Sequence, residues 1–208
     1  PDVSEGELLN KDGSEVSPGD VASLRVVSWN EEEGTPDVFE VAKKDGDWVI
    51  PSHFDYPADG GTRVGDTAGA VMNVPRGPLV TSDIKRHAEL GVVDPLEEGT
   101  SEPEGHGKRV TLKDEGGRVL VDMIIGKKAE HAEVYYVREA GAESVYTADV
   151  DPDIRTAFKD WVKRDLLEVK SGDITTVTIL DRSVDEQLGQ IQERSTTAFS
   201  KSADEWIS

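Results

Sequence analysis

The chain has 208 residues, enough to bury a core and to hold one or two folded units. Its 43 acidic against 23 basic residues give a formal net charge of -20, which repels phosphate backbones and anionic lipid and argues against nucleic-acid binding. Cysteine is absent, which excludes disulfides and thiolate metal sites, and no apolar run reaches the roughly 20 residues of a membrane-spanning helix.

Residues 1–19 are rich in Gly, Ser, Asp and Glu and read as a lead-in that ends in the turn signal Ser17-Pro18-Gly19-Asp20. The chain starts at Pro1 without an initiating Met, which suggests that a preceding segment, such as a membrane anchor, has been removed. Val21 to Trp29 alternates and is β-branched, so a strand is predicted, turned by Glu31 to Gly34. Val38 to Ala42 and Asp47 to Pro51 flank Lys43-Lys44-Asp45-Gly46, whose Asp-Gly pair suits the positive φ of a hairpin turn.

Thr62 to Val74 places Val64, Ala68, Val71 and Met72 on one helical face, although Gly65 and Gly69 each cost about 1 kcal/mol relative to Ala. Ser82 is the predicted N-cap of a short helix to Leu90, stopped by Gly91. Residues 97–107 read as an acidic exposed loop. Residues 108–149 then read as a four-stranded antiparallel meander: Lys108 to Lys113, Arg118 to Ile125, Val134 to Arg138 and Ser144 to Ala148. The spacing of Ile154, Ala157, Phe158, Trp161 and Val162 predicts a helix over 152–169, capped by Asp151 and ended by Gly172. Ile174 to Leu180 is another predicted strand. The fold class is therefore α+β, with antiparallel sheets and two or three helices.

The two ends of the chain share a pattern. Asp20 to Val27 matches Asp173 to Leu180 at an offset of 153, and Asp47-Trp48-Val49-Ile50 matches Glu205-Trp206-Ile207-Ser208 at 158. Residues 20–172 then form the α+β module, and 173–208 either open a second repeat or close the first as C-terminal strands.

Order and spacing of short motifs carry a resemblance over about residues 20–180. They are Gly46-Asp47-Trp48-Val49-Ile50, Tyr56-Pro57-Ala58-Asp59, Leu90-Gly91-Val92-Val93-Asp94-Pro95, Arg109-Val110-Thr111-Leu112-Lys113, Ile124-Ile125-Gly126-Lys127, Tyr135-Tyr136-Val137-Arg138, Val145-Tyr146 and Arg164-Asp165-Leu166-Leu167. By these the chain resembles the bacterial family called domain of unknown function 4340. The resemblance implies a membrane-anchored, extracytoplasmic body of repeated units, associated with ABC-type transport systems of the gliding-motility kind. It brings no enzymatic activity and no catalytic residues. The acidic stretch Glu97 to Gly107 departs from the family.

Candidate chemistry is sparse. His53, His87, His106 and His131 lie far apart without metal-ligand spacing and read as exposed loop or helix residues, so no metal and no cofactor is assigned. Asp149, Asp151 and Asp153 alternate as in a calcium loop, but the required Gly and Glu are replaced by Ile154 and Asp160. The glycines of Asp59 to Gly65 fit neither phosphate-binding motif, and no GxSxG elbow occurs, so no catalytic residue is assigned. Trp29, Trp48, Trp161 and Trp206 read as core residues, with Trp48 and Tyr56 alternatively lining a candidate ligand groove. The sequence thus points to a non-enzymatic extracytoplasmic scaffold module of a membrane-associated, ABC-type transport assembly, with protein partners and membrane attachment only through a removed N-terminal anchor. The alternatives are a solute- or glycan-binding module that stacks ligand on aromatics, and a hydrolase.

Overall fold

The computed structural model describes residues 6–97, 105–130, 133–151, 154–164, 169–185, 189–202 and 205–207. The chain divides into two compact units, Pro1–Lys163 and Arg164–Ser208. The fold is α+β, dominated by antiparallel sheet.

The first unit contains β1 (Ser23–Asn30), β2 (Thr35–Lys44), β3 (Asp47–Ile50), β4 (Tyr56–Pro57), α1 (Gly60–Val71), β5 (Leu79–Thr81), α2 (His87–Leu90), β6 (Lys108–Lys113), β7 (Val119–Lys128), β8 (Tyr135–Glu139), β9 (Val145–Ala148) and α3 (Phe158–Trp161). Its nine strands form one antiparallel sheet in the order β4-β3-β2-β1-β6-β7-β8-β9-β5. The predicted first hairpin and the meander are thus joined through β1 and β6, which pair from Ser23 opposite Lys113 to Val27 opposite Arg109. Short range explains the hairpins. Lys44 pairs with Asp47 across Asp45 (φ 53°) and Gly46 (φ 94°), a two-residue turn with both central residues at positive φ.

Period-two alternation divides the sheet into two faces. On one face Val41, Leu24, Leu112 and Val121 form a row across β2, β1, β6 and β7, and Phe39, Val26, Val110 and Met123 form the next, all buried. Helix α1 covers this face with Val64, Ala68 and Val71, and Trp161 packs its ring 5.2 Å from that of Phe39. Residues of the lead-in also contribute: Leu9 and Val16 are in the core, and the Asn10 and Asn73 side chains hydrogen-bond at 2.7 Å.

The predicted helix over 152–169 is corrected to the single turn Phe158–Trp161, with 152–153 and 165–168 outside the described residues. Ala157, not Asp151, is at its N-cap. Competing hydrogen bonds give the reason. Asp59 N donates to Trp161 O at 2.7 Å, Lys163 N donates to Pro57 O at 3.0 Å, and Val162 bridges Ala58, so the segment runs extended beside β4. Ser82 is likewise not a helix cap. Asp83 caps a 3-10 turn over Ile84–Arg86 by accepting from Lys85 N at 3.0 Å, and α2 follows, ending as expected at Gly91 with φ 72°.

The second unit is a three-stranded antiparallel sheet of β10 (Thr176–Asp185), β11 (Gln190–Ser202) and β12 (Glu205–Ile207). Trp206 is exposed there, against the expectation of a core residue, because the described part of this small sheet buries no face around it.

Candidate functional site

The sheet face opposite the main core carries the side chains left over by the alternation. Across β2, β1, β6 and β7 one row reads Glu40, Arg25, Thr111 and Asp122, and the next, extended to β8 and β9, reads Val38, Val27, Arg109, Ile124, Arg138 and Val145. Arg109 sits at the centre. It donates Nε and Nη2 to the two carboxylate oxygens of Asp122 at 2.9 and 2.7 Å, and Nη1 to Asp94 Oδ2 at 2.8 Å. Thr111 Oγ1 adds a bond to Asp122 Oδ1 at 3.0 Å. All three charged side chains are largely sheltered from solvent. The bonds to Asp122 raise the Arg109 pKa against the opposing cost of burial.

This triad ties the chain after α2, through Asp94, to the strands β6 and β7. Both carboxylates are engaged by one guanidinium, so the arrangement does the work of a structural ion cluster. Arg138, on the same face, is buried and donates Nε to Val92 O at 3.0 Å and Nη1 to Ala142 O at 2.8 Å. Burial pushes its pKa down, yet from so high a starting value that it stays charged at neutral pH. Leu90, Val92, Ile124 and Val145 form a small second cluster beside it.

Of the predicted residues, Trp48 and Tyr56 come to adjacent strands but to different neighbours. Trp48 packs on the core and leaves no room for a side chain at Gly60, where a Cβ would lie 2.0 Å from Trp48 Cγ. Lys43 Nζ lies 5.5 Å from the Trp48 ring centroid. Tyr56 meets Phe158 edge-on at 5.6 Å, and His53 stacks on the same ring at 4.0 Å. Phe54 beside them is fully exposed at φ 58°. An aromatic group therefore gathers at the β4 edge of the sheet.

The histidines separate into different settings. His87 is buried, contrary to the reading of exposed histidines, because its Nε2 lies 2.9 Å from Glu143 O and fastens α2 to the β8–β9 turn. His106 is half-buried and stacks on Trp29 at 4.2 Å, beside an open cavity of about 210 Å³ that Lys108 and Glu31 also line. His131 and Asp153 lie outside the described residues. Among the described residues, no group of three or more His, Asp or Glu side chains could hold a metal ion. No helix among them is long and apolar enough to cross a membrane.

The sequence reading missed the Arg109 cluster. A hairpin register was available to place Arg109 near Asp122, but nothing local marked Asp94 as the third member. It also missed the exposed apolar side chains of the second unit: Ile179, Leu180 and Val184 on β10, Ile191 on β11, and Trp206 and Ile207 on β12. Val184 and Ile191 stand directly opposite one another.

One family model, described as Domain of unknown function (DUF4340), matches residues 48–207. No curated protein and no solved structure matches the chain.

Proposed function

The chain belongs to the DUF4340 family, and from that premise we propose that it is a non-enzymatic recognition module that binds protein partners through sheet faces and edges. The observation that carries this reading is the apolar surface of β10 to β12. Ile179, Val184, Ile191 and Ile207 are each more than half exposed on a sheet of three strands. Exposed apolar side chains are costly to leave in water, and their concentration on one small sheet marks a place where another chain docks. The acidic remainder of the molecule keeps it soluble and discourages association with anionic surfaces.

The cellular setting is proposed from the resemblance of the sequence to this family. It is an extracytoplasmic place in a membrane-associated transport assembly of ABC type, with attachment to the membrane through a segment outside these residues. The test is affinity purification of the full-length protein from detergent-solubilised membranes, alongside an Ile179→Lys, Val184→Lys variant. Transporter subunits are expected with the parent and at least about tenfold less with the variant, because each Lys places a charge in a desolvated contact. Recovery without transporter subunits removes the transport setting, and equal recovery of the same partners with both proteins removes the recognition surface.

A further inference from the structure

The second unit repeats the opening of the first in register as well as in residue pattern. A 3-10 turn precedes each first strand, Pro18–Asp20 and Ser171–Asp173. Asp20 N donates to Ser17 O at 2.9 Å, and Asp173 N to Lys170 O at 2.9 Å. Ser23 pairs with Ala42, and Thr176 with Ser200. Lys43 N donates to Ala22 O at 2.8 Å, and Lys201 N to Thr175 O at 2.9 Å. In each first hairpin the residue before the returning strand is a glycine at positive φ, 65° at Gly34 and 62° at Gly189. In each second hairpin a lysine faces a tryptophan, Lys43 opposite Trp48 and Lys201 opposite Trp206. The longer arms of the first hairpin in the second unit are accompanied by an irregularity between Asp181 and Arg182.

The two tryptophans also lie near the two ends of the family match. It runs from residue 48 to residue 207, and Trp206 lies 158 positions after Trp48. Equivalent residues differ in what covers them. Leu24, Val26 and Val27 are at most 1% exposed, whereas their counterparts Val177, Ile179 and Leu180 are 37%, 55% and 47% exposed. Val49 is 9% exposed and its counterpart Ile207 57%. In the first unit α1 shares a core with Leu24 and Val26, and β6 pairs along the side of β1 away from β2. Among the described residues, β10 has a strand on one side only.

We propose that β10 to β12 are the opening strands of a second sheet of the same kind, and that the face carrying Val177, Ile179 and Phe199, together with the β10 edge, forms a docking surface for one occupant. The occupant is a polypeptide segment built like residues 51–163 of this chain. It lays a helix of the α1 pattern over Val177, Ile179 and Phe199. It runs a β6-like strand antiparallel to β10, in the register that Lys113 to Arg109 hold against Ser23 to Val27. Apolar positions equivalent to Val64, Ala68 and Val71 on the helix, and to Val110 and Leu112 on the strand, complete the core. The inference rests on the recognition reading and names its partner.

Ser208 holds the sequence place of Ile50, so joining a second copy of residues 51–163 after Ser208 supplies the segment in the order of the first unit. Hydrogen exchange by mass spectrometry compares this fusion with the 208-residue chain, using peptides from residues 174–182 and 22–30, which the fusion does not duplicate. Exchange in the β10 peptides is expected to slow by about two orders of magnitude in the fusion, while the β1 peptides stay as protected as in the parent. Val177→Asp with Ile179→Asp in the fusion is expected to remove the β10 protection alone. Equal β10 exchange in fusion and parent, or protection that survives the double substitution, overturns the proposal. Equal β10 exchange alongside captured transporter subunits removes this inference and leaves the recognition reading standing; β10 protection with no captured partner sustains this inference without that setting.

Discussion

Replacing Gly60 by alanine should destabilise the first unit even though the same change elsewhere in α1 should stabilise it. Gly60 is the first residue of α1, where Ala would ordinarily gain about 0.5–1 kcal/mol by restricting the unfolded chain. A Cβ there would fall 2.0 Å from Trp48 Cγ, 2.3 Å from Trp48 Cβ and 2.4 Å from Cδ1. Carbon atoms in contact sit about 3.5–4.0 Å apart, so the indole or the helix start must move by about 1.5 Å. The clash is with the root of the side chain, which cannot swing aside, and overpacking of this kind costs about 1–3 kcal/mol. The net expectation is a loss of about 1–2 kcal/mol, or roughly 0.5–1 M in urea midpoint at a slope of about 2 kcal/mol/M. Gly65→Ala and Gly69→Ala are the controls, since a Cβ at either meets nothing within 4 Å. Each should raise the midpoint, by about 0.5 kcal/mol in free energy. Urea unfolding followed by far-ultraviolet circular dichroism decides the matter. A Gly60→Ala protein as stable as the parent, or controls that lose stability, would refute the packing of Trp48 on α1.

Two other expectations concern charge. Arg109→Met strands the sheltered carboxylates of Asp94 and Asp122, and should cost about 3 kcal/mol in urea unfolding. The Arg109 pKa is raised in the fold, so its contribution is fully present below the ordinary arginine value and fades only as pH rises through the raised one. The deficit of the variant should therefore be flat between about pH 5 and about pH 9, and a deficit that changes across that range contradicts the assignment. Asp114 accepts from Arg118 Nε at 3.0 Å and Arg118 N at 2.9 Å, and these bonds lower its pKa. Its contribution is present above the ordinary aspartate value and lost as pH falls through the lowered one, below about pH 4. Asp114→Asn should then flatten the acid limb of the stability curve, and an unchanged limb counts against the turn geometry.

What could be read from the sequence was what short stretches of chain decide by themselves. Asp45-Gly46 fixes a turn through two positive φ values, and alternation fixes which side of β1, β6 and β7 faces the core. The pairing of β1 with β6 could not be read, since residues 30 to 108 intervene and no local signal sets that register. The helix over 152–169 failed for a related reason. Its apolar spacing is real, and Ile154 and Trp161 are buried as the pattern requires, but hydrogen bonds to Pro57 and Asp59 hold the backbone extended on the C-terminal side of Trp161. The Trp48 and Tyr56 pair was legible as aromatic residues near one another and not as neighbours of Gly60 and Phe158. Of the Arg109 cluster, only the cross-strand part lay within reach of a hairpin argument.

Trp48 and Trp206 make the same distinction within one chain. Each faces a lysine on the neighbouring strand and stands on the third strand of a meander led by a 3-10 turn and an aspartate. One is packed against a core and the other is exposed. The local register is therefore set by residues that both hairpins share, while burial is set by what lies on the face. In the first unit α1 and Trp161 supply the cover, from positions that follow the meander in sequence. A strand pattern with the apolar residues of a buried face but without its cover carries an unspent driving force for association. That force favours a partner with the geometry of α1 and β6 over any other apolar body, because the β10 edge adds directional hydrogen bonds to an otherwise non-directional attraction.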